Sequence, residues 1–185
     1  MSYKAAKQNI VREITETLDR ISSKDVEQLI KKIEKAERVF FVGVGRVLLA
    51  LEGMAKRLGH LGIQTVVVGQ ITEPAITDKD LLIVGSGSGE SAFPLTIAKK
   101  AKEFGSQVAH IGSNPDSTMK EYSDLFIRIP VQTKLALPEE ISFIQPMTSL
   151  FEQSVLLLGD SIALVMIEEK AIDMSKLWQY HANLE

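Results

Sequence analysis

Leu81-Leu82-Ile83-Val84 runs without a break into Gly85-Ser86-Gly87-Ser88-Gly89-Glu90-Ser91 and then into Ala92-Phe93-Pro94. Four consecutive apolar residues with no polar alternation read as a strand buried on both faces. The next seven carry no large apolar side chain, so they leave the sheet as a loop. Proline lacks an amide hydrogen and is tolerated in a helix only in the first turn, so Pro94 sets the start of the following helix near Glu90 or Ser91. That helix carries Leu95, Ala98, Ala101 and Phe104 on one face and stops at Gly105, where a left-handed C-cap residue is expected. Buried strand, tight loop and amphipathic helix in this order make half of a parallel crossover unit.

The same grammar extends in both directions. Val39-Phe40-Phe41-Val42, Thr65-Val66-Val67-Val68 and Val108-Ala109-His110-Ile111 read as further fully buried strands. Between the first two lies a helix bearing Leu48, Leu51, Met54, Ala55, Leu58 and Leu61, ending at Gly62. A fifth strand, Leu125 to Ile129, contains Arg128 and alternates, which places it nearer an edge. Two helices precede the sheet, the first with Ile10, Ile14, Leu18 and Ile21 at helical spacing, the second starting after Ser22 or Ser23 with Asp25 and Glu27 in its first turn. After the fifth strand come a loop from Pro130 to about Gln145, a long helix from about Met147 to Lys170 and a short tail helix ending in His181-Ala182-Asn183-Leu184-Glu185. The expected fold is α/β: a doubly wound, five-stranded, mainly parallel sheet with helices on both faces, plus N-terminal and C-terminal helices.

With 185 residues and a hydrophobic fraction of 45%, residues 1–185 suit one domain. The formal charge of −3 comes from scattered acids and bases, with no basic stripe to track a nucleic acid backbone. Cysteine is absent, which excludes disulfides, thiolate metal sites and cysteine nucleophiles. The mixed charges Lys4, Lys7, Arg12 and Glu13 take the place of a secretory leader's apolar stretch. The most apolar run, Val155 to Ile167, is interrupted by Gly159 and Asp160 and falls short of the ~20 residues of a membrane span. A cytoplasmic location with neither nucleic acid nor membrane as partner is expected.

In an open parallel sheet, ligands bind beyond the carboxyl ends of the strands. Two loops stand there. Gly43-Val44-Gly45-Arg46 offers close backbone approach and a planar guanidinium for an anion, or is simply a tight turn. It lacks a dinucleotide fingerprint, because Leu48 occupies the third glycine position. The loop from Gly85 to Ser91 gathers serine hydroxyls and unpaired amides at the positive end of a helix dipole, a phosphate site that needs neither lysine nor metal. Its bland alternative is a Gly/Ser turn with Ser88 or Ser91 as N-cap. No Gly-Lys-Ser/Thr follows, so it is not a Walker loop.

These motifs resemble those of the sugar isomerase (SIS) domain family, in which a glycine turn follows the first strand and a Ser-x-Ser-Gly-Glu-Ser/Thr loop the third. Within that family the chain looks most like the hexuloisomerases. The resemblance runs through Gly43 to Arg46, Ala55-Lys56-Arg57-Leu58-Gly59-His60-Leu61-Gly62, Gly85 to Ser91, Gln145-Pro146-Met147-Thr148-Ser149-Leu150-Phe151-Glu152-Gln153 and the tail His181 to Glu185. It implies a SIS-type, flavodoxin-like fold, a homotetramer, no cofactor, and isomerisation of 3-hexulose 6-phosphate to fructose 6-phosphate. It also implies a substrate site of Gly45, Arg46, Ser86, Gly87, Ser88, Gly89 and Ser91. The hexuloisomerases typically read Gly-Arg-Ser-Gly in the first loop, whereas this chain has Gly45-Arg46-Val47-Leu48, and valine donates no hydrogen bond. A sugar-phosphate sensor of the same fold and an arabinose 5-phosphate isomerase are the rival readings.

Moving a carbonyl to the next carbon needs a base to carry a proton across an enediol and a group to hold the developing oxyanion. Glu152 is the expected base, although Ser149-Leu150-Phe151-Glu152 also reads as a capping box. Glu90 is the reserve. His60, at the far end of its helix, and His181, in the tail, are catalytic candidates that reach a site mainly across a subunit interface. His110, inside a strand, reads as a satisfied core residue. The spacing of the histidines and carboxylates gives no metal site. The long helix is apolar on more than one face, which calls for a second burial surface and a homo-oligomer.

Overall fold

The computed structural model describes residues 1–184 except 134–136 and 138. Part of the expected loop after Pro130, and Glu185 at the end of the tail motif, therefore lie outside the described residues. Helices α1 (Tyr3–Leu18) and α2 (Ser23–Lys35) lead into β1 (Val39–Val42), α3 (Gly45–Gly59), β2 (Thr65–Val67), β3 (Leu81–Gly85), α4 (Ala92–Glu103) and β4 (Gln107–Gly112). A short 3-10 helix (Thr118–Tyr122), β5 (Leu125–Arg128), α5 (Ser149–Glu169) and a 3-10 tail (Met174–Tyr180) complete the order. The sheet runs β2-β1-β3-β4-β5 with every pair parallel. The chain therefore reverses its winding direction between β1 and β3, and a crevice opens above that point.

The helix boundaries follow local chemistry. Ser2 and Ser22 cap α1 and α2, their hydroxyls accepting from Ala5 N at 3.2 Å and Asp25 N at 3.3 Å. Gly105, just past α4, has φ +80°. On one face of the sheet Val39, Phe41, Leu81, Ile83, Ala109 and Ile111 pack against Leu29 and Ile33 of α2, Leu51, Met54 and Leu58 of α3, and Leu150, Val155 and Ile162 of α5. On the other, Phe40, Val42, Leu82, Val84 and Val108 pack against Ala98 and Ala101 of α4 and Met119. Each Val, Leu, Ile, Phe or Met side chain among them contributes about 1.5–3 kcal/mol on burial. A side chain at Gly159 would lie 2.7 Å from Met54 Cβ, and one at Gly53 would lie 2.7 Å from Leu156, so these glycines let α3 and α5 cross closely. That contact sets the start of α3 beside the start of α5.

Three expectations need correction. β2 is half-buried because it is the edge strand beside β1, and Val68 lies outside it. The buried residues of α1 are Glu13 and Thr17, while Ile10, Ile14 and Leu18 stay half-buried at its flank. Helix α5 has 21 residues and is long and apolar enough to cross a membrane, more than the interrupted run promised. Its Leu150, Phe151, Val155, Leu158, Ile162 and Met166 are nevertheless buried among other side chains, as in the central helix of a globular core.

Candidate functional site

The β1–α3 and β3–α4 loops leave two neighbouring strands, with Val42 paired to Val84, and lead to helices on opposite faces of the sheet. Glycine is required where they meet. A Cβ on Gly85 would lie 2.7 Å from Leu51 Cδ1 and 2.8 Å from Val47 Cγ1, so α3 settles directly over the end of β3. Gly45 opens α3 at φ +58°. Val47 is half-buried against this junction and presents methyl groups there, with no hydroxyl to donate.

The serine loop is shaped by its carbonyls. Ser86 O accepts from Gly89 N at 3.2 Å and faces His110 Nε2 at 2.9 Å. Gly87 O accepts from Ser113 N at 2.9 Å and Asn114 N at 3.2 Å, and Ser88 O accepts from Asn114 Nδ2 at 3.3 Å. In a planar trans peptide the N–H points opposite to the C=O. Turning the carbonyls of Ser86 and Gly87 into the protein therefore turns the amides of Gly87 and Ser88 outward, and among the described residues neither amide has an acceptor. The hydroxyls meanwhile serve the loop itself: Ser86 Oγ accepts from Gly89 N at 3.2 Å and Ser88 Oγ from Glu90 N at 3.2 Å, while Ser86 Oγ lies 3.4 Å from Ser91 Oγ. Ser91 is the N-cap of α4 and makes no side-chain capping bond. Outward amides, hydroxyls free to rotate and a helix N-terminus form a cradle for an anion. Gly89, at φ +68°, has no room for a side chain because Ser117 Oγ would lie 2.1 Å away.

Across the crevice Glu152, 8% exposed, forms an ion pair with Arg46 and accepts from Thr148 Oγ1 at 2.9 Å. The capping box of Ser149 and Glu152 does not form: Thr148 is the N-cap, and its side chain makes no capping bond to the first amides of α5. A Cβ on Gly87 would lie 3.9 Å from the Phe151 ring, so the start of α5 abuts the serine loop. Glu90, the reserve base, accepts from Thr118 N at 2.7 Å and anchors the 3-10 helix instead.

His60 and His181 are not brought to this crevice within the chain. Fourteen residues of α3 separate His60 from Arg46, about 21 Å along the axis. The tail folds back over that far end, and the two imidazoles stack at 5.4 Å with 18° between planes. They line a cleft of about 670 Å³ with Arg57, Asp160, Leu164 and Trp178. Among the described residues His60 Nε2 is buried with no hydrogen-bond partner, and desolvation together with Lys56, Arg57 and His181 holds the ring below the ordinary imidazole range. Among the described residues, no three His, Asp or Glu side chains gather to hold a metal ion.

Several supporting residues escaped the sequence reading. Glu13 accepts from Ile144 N and Gln145 Nε2, both at 3.0 Å, and so pins the segment before α5. Glu140 accepts from Ser113 Oγ at 3.0 Å and Leu137 N at 2.7 Å, holding the loop that brings Thr133 beside Gly87. Asn114 was the detectable one, since Asn-Pro-Asp after a strand marks a turn at the carboxyl edge of the sheet.

Residues 32–158 match the SIS domain model. The chain is 38% identical over 176 residues to 3-hexulose-6-phosphate isomerase of Bacillus subtilis, covering 95% of both chains. It is 35% identical over 173 residues to the enzyme of the same name from Mycobacterium gastri, covering 94% of this chain and 86% of that one. The crystal structure of a hypothetical protein from Methanococcus jannaschii, for which a molecular function of 3-hexulose-6-phosphate isomerase was inferred, superposes with TM-score 0.84 at 30% identity. That match covers 98% of this chain and 99% of the other. With the parallel β2-β1-β3-β4-β5 sheet and the serine loop at its switch point, these matches establish that the chain belongs to the SIS domain family.

Proposed function

We propose that this chain is a phosphosugar isomerase that moves the carbonyl of 3-hexulose 6-phosphate from C3 to C2, giving fructose 6-phosphate. The observation that carries the reading is the cradle at the start of α4, with the outward amides of Gly87 and Ser88, lying across the crevice from the buried carboxylate of Glu152. The relatives named 3-hexulose-6-phosphate isomerase support the choice of sugar.

The phosphate occupies the cradle, where the hydroxyls of Ser86, Ser88 and Ser91 rotate from serving the loop to donating to phosphate oxygens, with Gly45, Gly87 and Gly89 letting the backbone approach. Arg46, its side chain 66% exposed, leaves Glu152 for the incoming anion and frees the carboxylate. Glu152 then takes the proton from C2, the electrons form the C2–C3 enediol as O3 gains a proton, and Glu152, its proton partly exchanged with solvent, returns one to C3 while the hydroxyl proton at C2 is lost to leave the carbonyl. His60 and His181 serve the oxyanion and the hydroxyl protons from a neighbouring subunit. That role requires a homo-oligomer, which we take to be a tetramer of a cytoplasmic enzyme. Leu49, Leu156, Leu164 and Val165, exposed on α3 and α5, supply an apolar surface for the assembly.

The test is a panel of phosphosugars, including 3-hexulose 6-phosphate and arabinose 5-phosphate, scored for turnover and thermal stabilisation. Turnover of the hexulose phosphate above all others is expected. Stabilisation by sugar phosphates without turnover of any would overturn the enzyme reading in favour of a sensor.

A further inference from the structure

We propose that His110 is a positioning residue for the phosphate site: it clamps the Ser86–Gly87 peptide from below, so that the Gly87 amide faces the anion. The inference rests on the serine loop being the phosphate site. His110 lies in β4 beside Val84 of β3 and is 1% exposed. Its Nε2 is 2.9 Å from Ser86 O, a carbonyl that also accepts from Gly89 N at 3.2 Å. Because a carbonyl only accepts, Nε2 must carry the hydrogen. The planar peptide then fixes the opposite end of the same group, the Gly87 N–H, towards the crevice.

Two glycines make room for the ring. A Cβ on Gly112 would lie 2.4 Å from His110 Nε2 and 2.7 Å from Ser86 O, and a Cβ on Gly89 would lie 3.2 Å from His110 Cε1. Phe126 of β5 closes the remaining side, its ring 5.0 Å away at 36°. The imidazole is held from the sheet, from the loop and from the neighbouring strand, with its donor on Ser86 O. Burial lowers its pKa to about 4, so the ring stays neutral through the physiological range. A core histidine would need any acceptor; this one uses the carbonyl whose orientation decides whether the site's first amide is available. Such a residue changes how tightly phosphate is held without touching the reacting carbons.

The experiment compares wild-type protein with His110→Leu, His110→Gln and Ser86→Ala, titrating inorganic phosphate by calorimetry and following turnover. His110→Leu fills the space without a donor and is expected to weaken phosphate binding and raise KM about tenfold, with kcat within about twofold. His110→Gln restores an N–H and is expected to return both constants to within about threefold of wild type. A folded leucine variant with unchanged phosphate affinity and KM overturns the proposal, as does a loss that glutamine fails to restore. A measurement on the wild type needs no variant: nitrogen NMR of the imidazole is expected to show the hydrogen on Nε2, and a hydrogen on Nδ1 overturns the clamp. If Ser86→Ala binds phosphate as wild type does, the loop is not the phosphate site, and the failure then lies with the underlying reading. Loss in Ser86→Ala with no loss in His110→Leu defeats the clamp alone.

Discussion

Replacing Glu152 with glutamine separates its chemical role from its structural one. Among the described residues the carboxylate has two partners, Arg46 and Thr148 Oγ1, and glutamine keeps its size, one acceptor oxygen for Arg46 and an amide that Thr148 can accept from. Arg46 is left with a neutral partner, but its side chain is 66% exposed and is solvated in the variant. A pair of which one member faces water is worth about 1 kcal/mol or less. For a chain of 185 residues that is a fall in Tm of about 2–4 °C. Turnover behaves differently, because the amide cannot take a proton from carbon, and loss of a positioned base costs about 10²- to 10⁴-fold. The assays are thermal unfolding, steady-state turnover of 3-hexulose 6-phosphate, and deuterium uptake at C3 of the product in heavy water. A small change in Tm, a fall in kcat of at least a hundredfold and the loss of deuterium uptake are expected. A glutamine variant with wild-type stability that kept kcat within about threefold would remove Glu152 from the proton transfer.

The remaining perturbations address the cradle, the assembly and a buried titration. Ser86→Ala combined with Ser88→Ala removes two hydroxyls that now accept from Gly89 N and Glu90 N; KM is expected to rise about ten- to a hundredfold with the fold intact by circular dichroism, and unchanged affinity would put the phosphate elsewhere. Light scattering at micromolar concentration is expected to give a mass above 20.4 kDa, and mixing Glu152→Gln chains with His181→Ala chains is expected to restore activity through hybrid sites. A fully active monomer refutes the shared site. His110 titrates near 4 in the folded chain and near 6.5 when unfolded, so between those values the unfolded state binds more protons and stability falls as pH falls. Denaturant titrations from pH 6.5 to pH 4 are expected to show a loss from this group on the order of 3 kcal/mol that His110→Gln lacks, and parallel losses in both proteins would exclude it.

What the sequence disclosed divides along a physical line. Features written in local spacing were legible: the buried strands, the Pro94 helix start, the glycine after α4, and the hydroxyls gathered between Gly85 and Ser91. Burial of β2 was misjudged because Thr65-Val66-Val67 looks alike on an edge and in the centre, and only the strand order decides. Supporting residues of the site were hidden because their partners are remote in sequence. His110 lies 24 positions from Ser86, Asn114 lies 26 from Ser88, and Glu13 lies 131 from Ile144. The stacking of His60 on His181 depends on the tail folding back across Gly62, where a side chain would lie 3.0 Å from the Tyr180 ring.

The role of Glu152 turns on a single residue of helix register. Ser149-Leu150-Phe151-Glu152 has the spacing of a capping box, and had α5 begun one position later, Ser149 would be the N-cap and Glu152 would reach back to its amide. Met147 instead adopts φ +58°, Thr148 becomes the N-cap, and Ser149 is the first helical residue. Glu152 then closes the first turn, its own amide bonded to Thr148 O at 3.2 Å. From there its carboxylate faces α3 and Arg46 across the crevice. The backbone that sets this register is held by Glu13 through Ile144 N and Gln145 Nε2. A buried carboxylate in the first helix of the chain thereby supports the segment from which a second one, far along the sequence, reaches Arg46 as well as Thr148, the cap of its own helix.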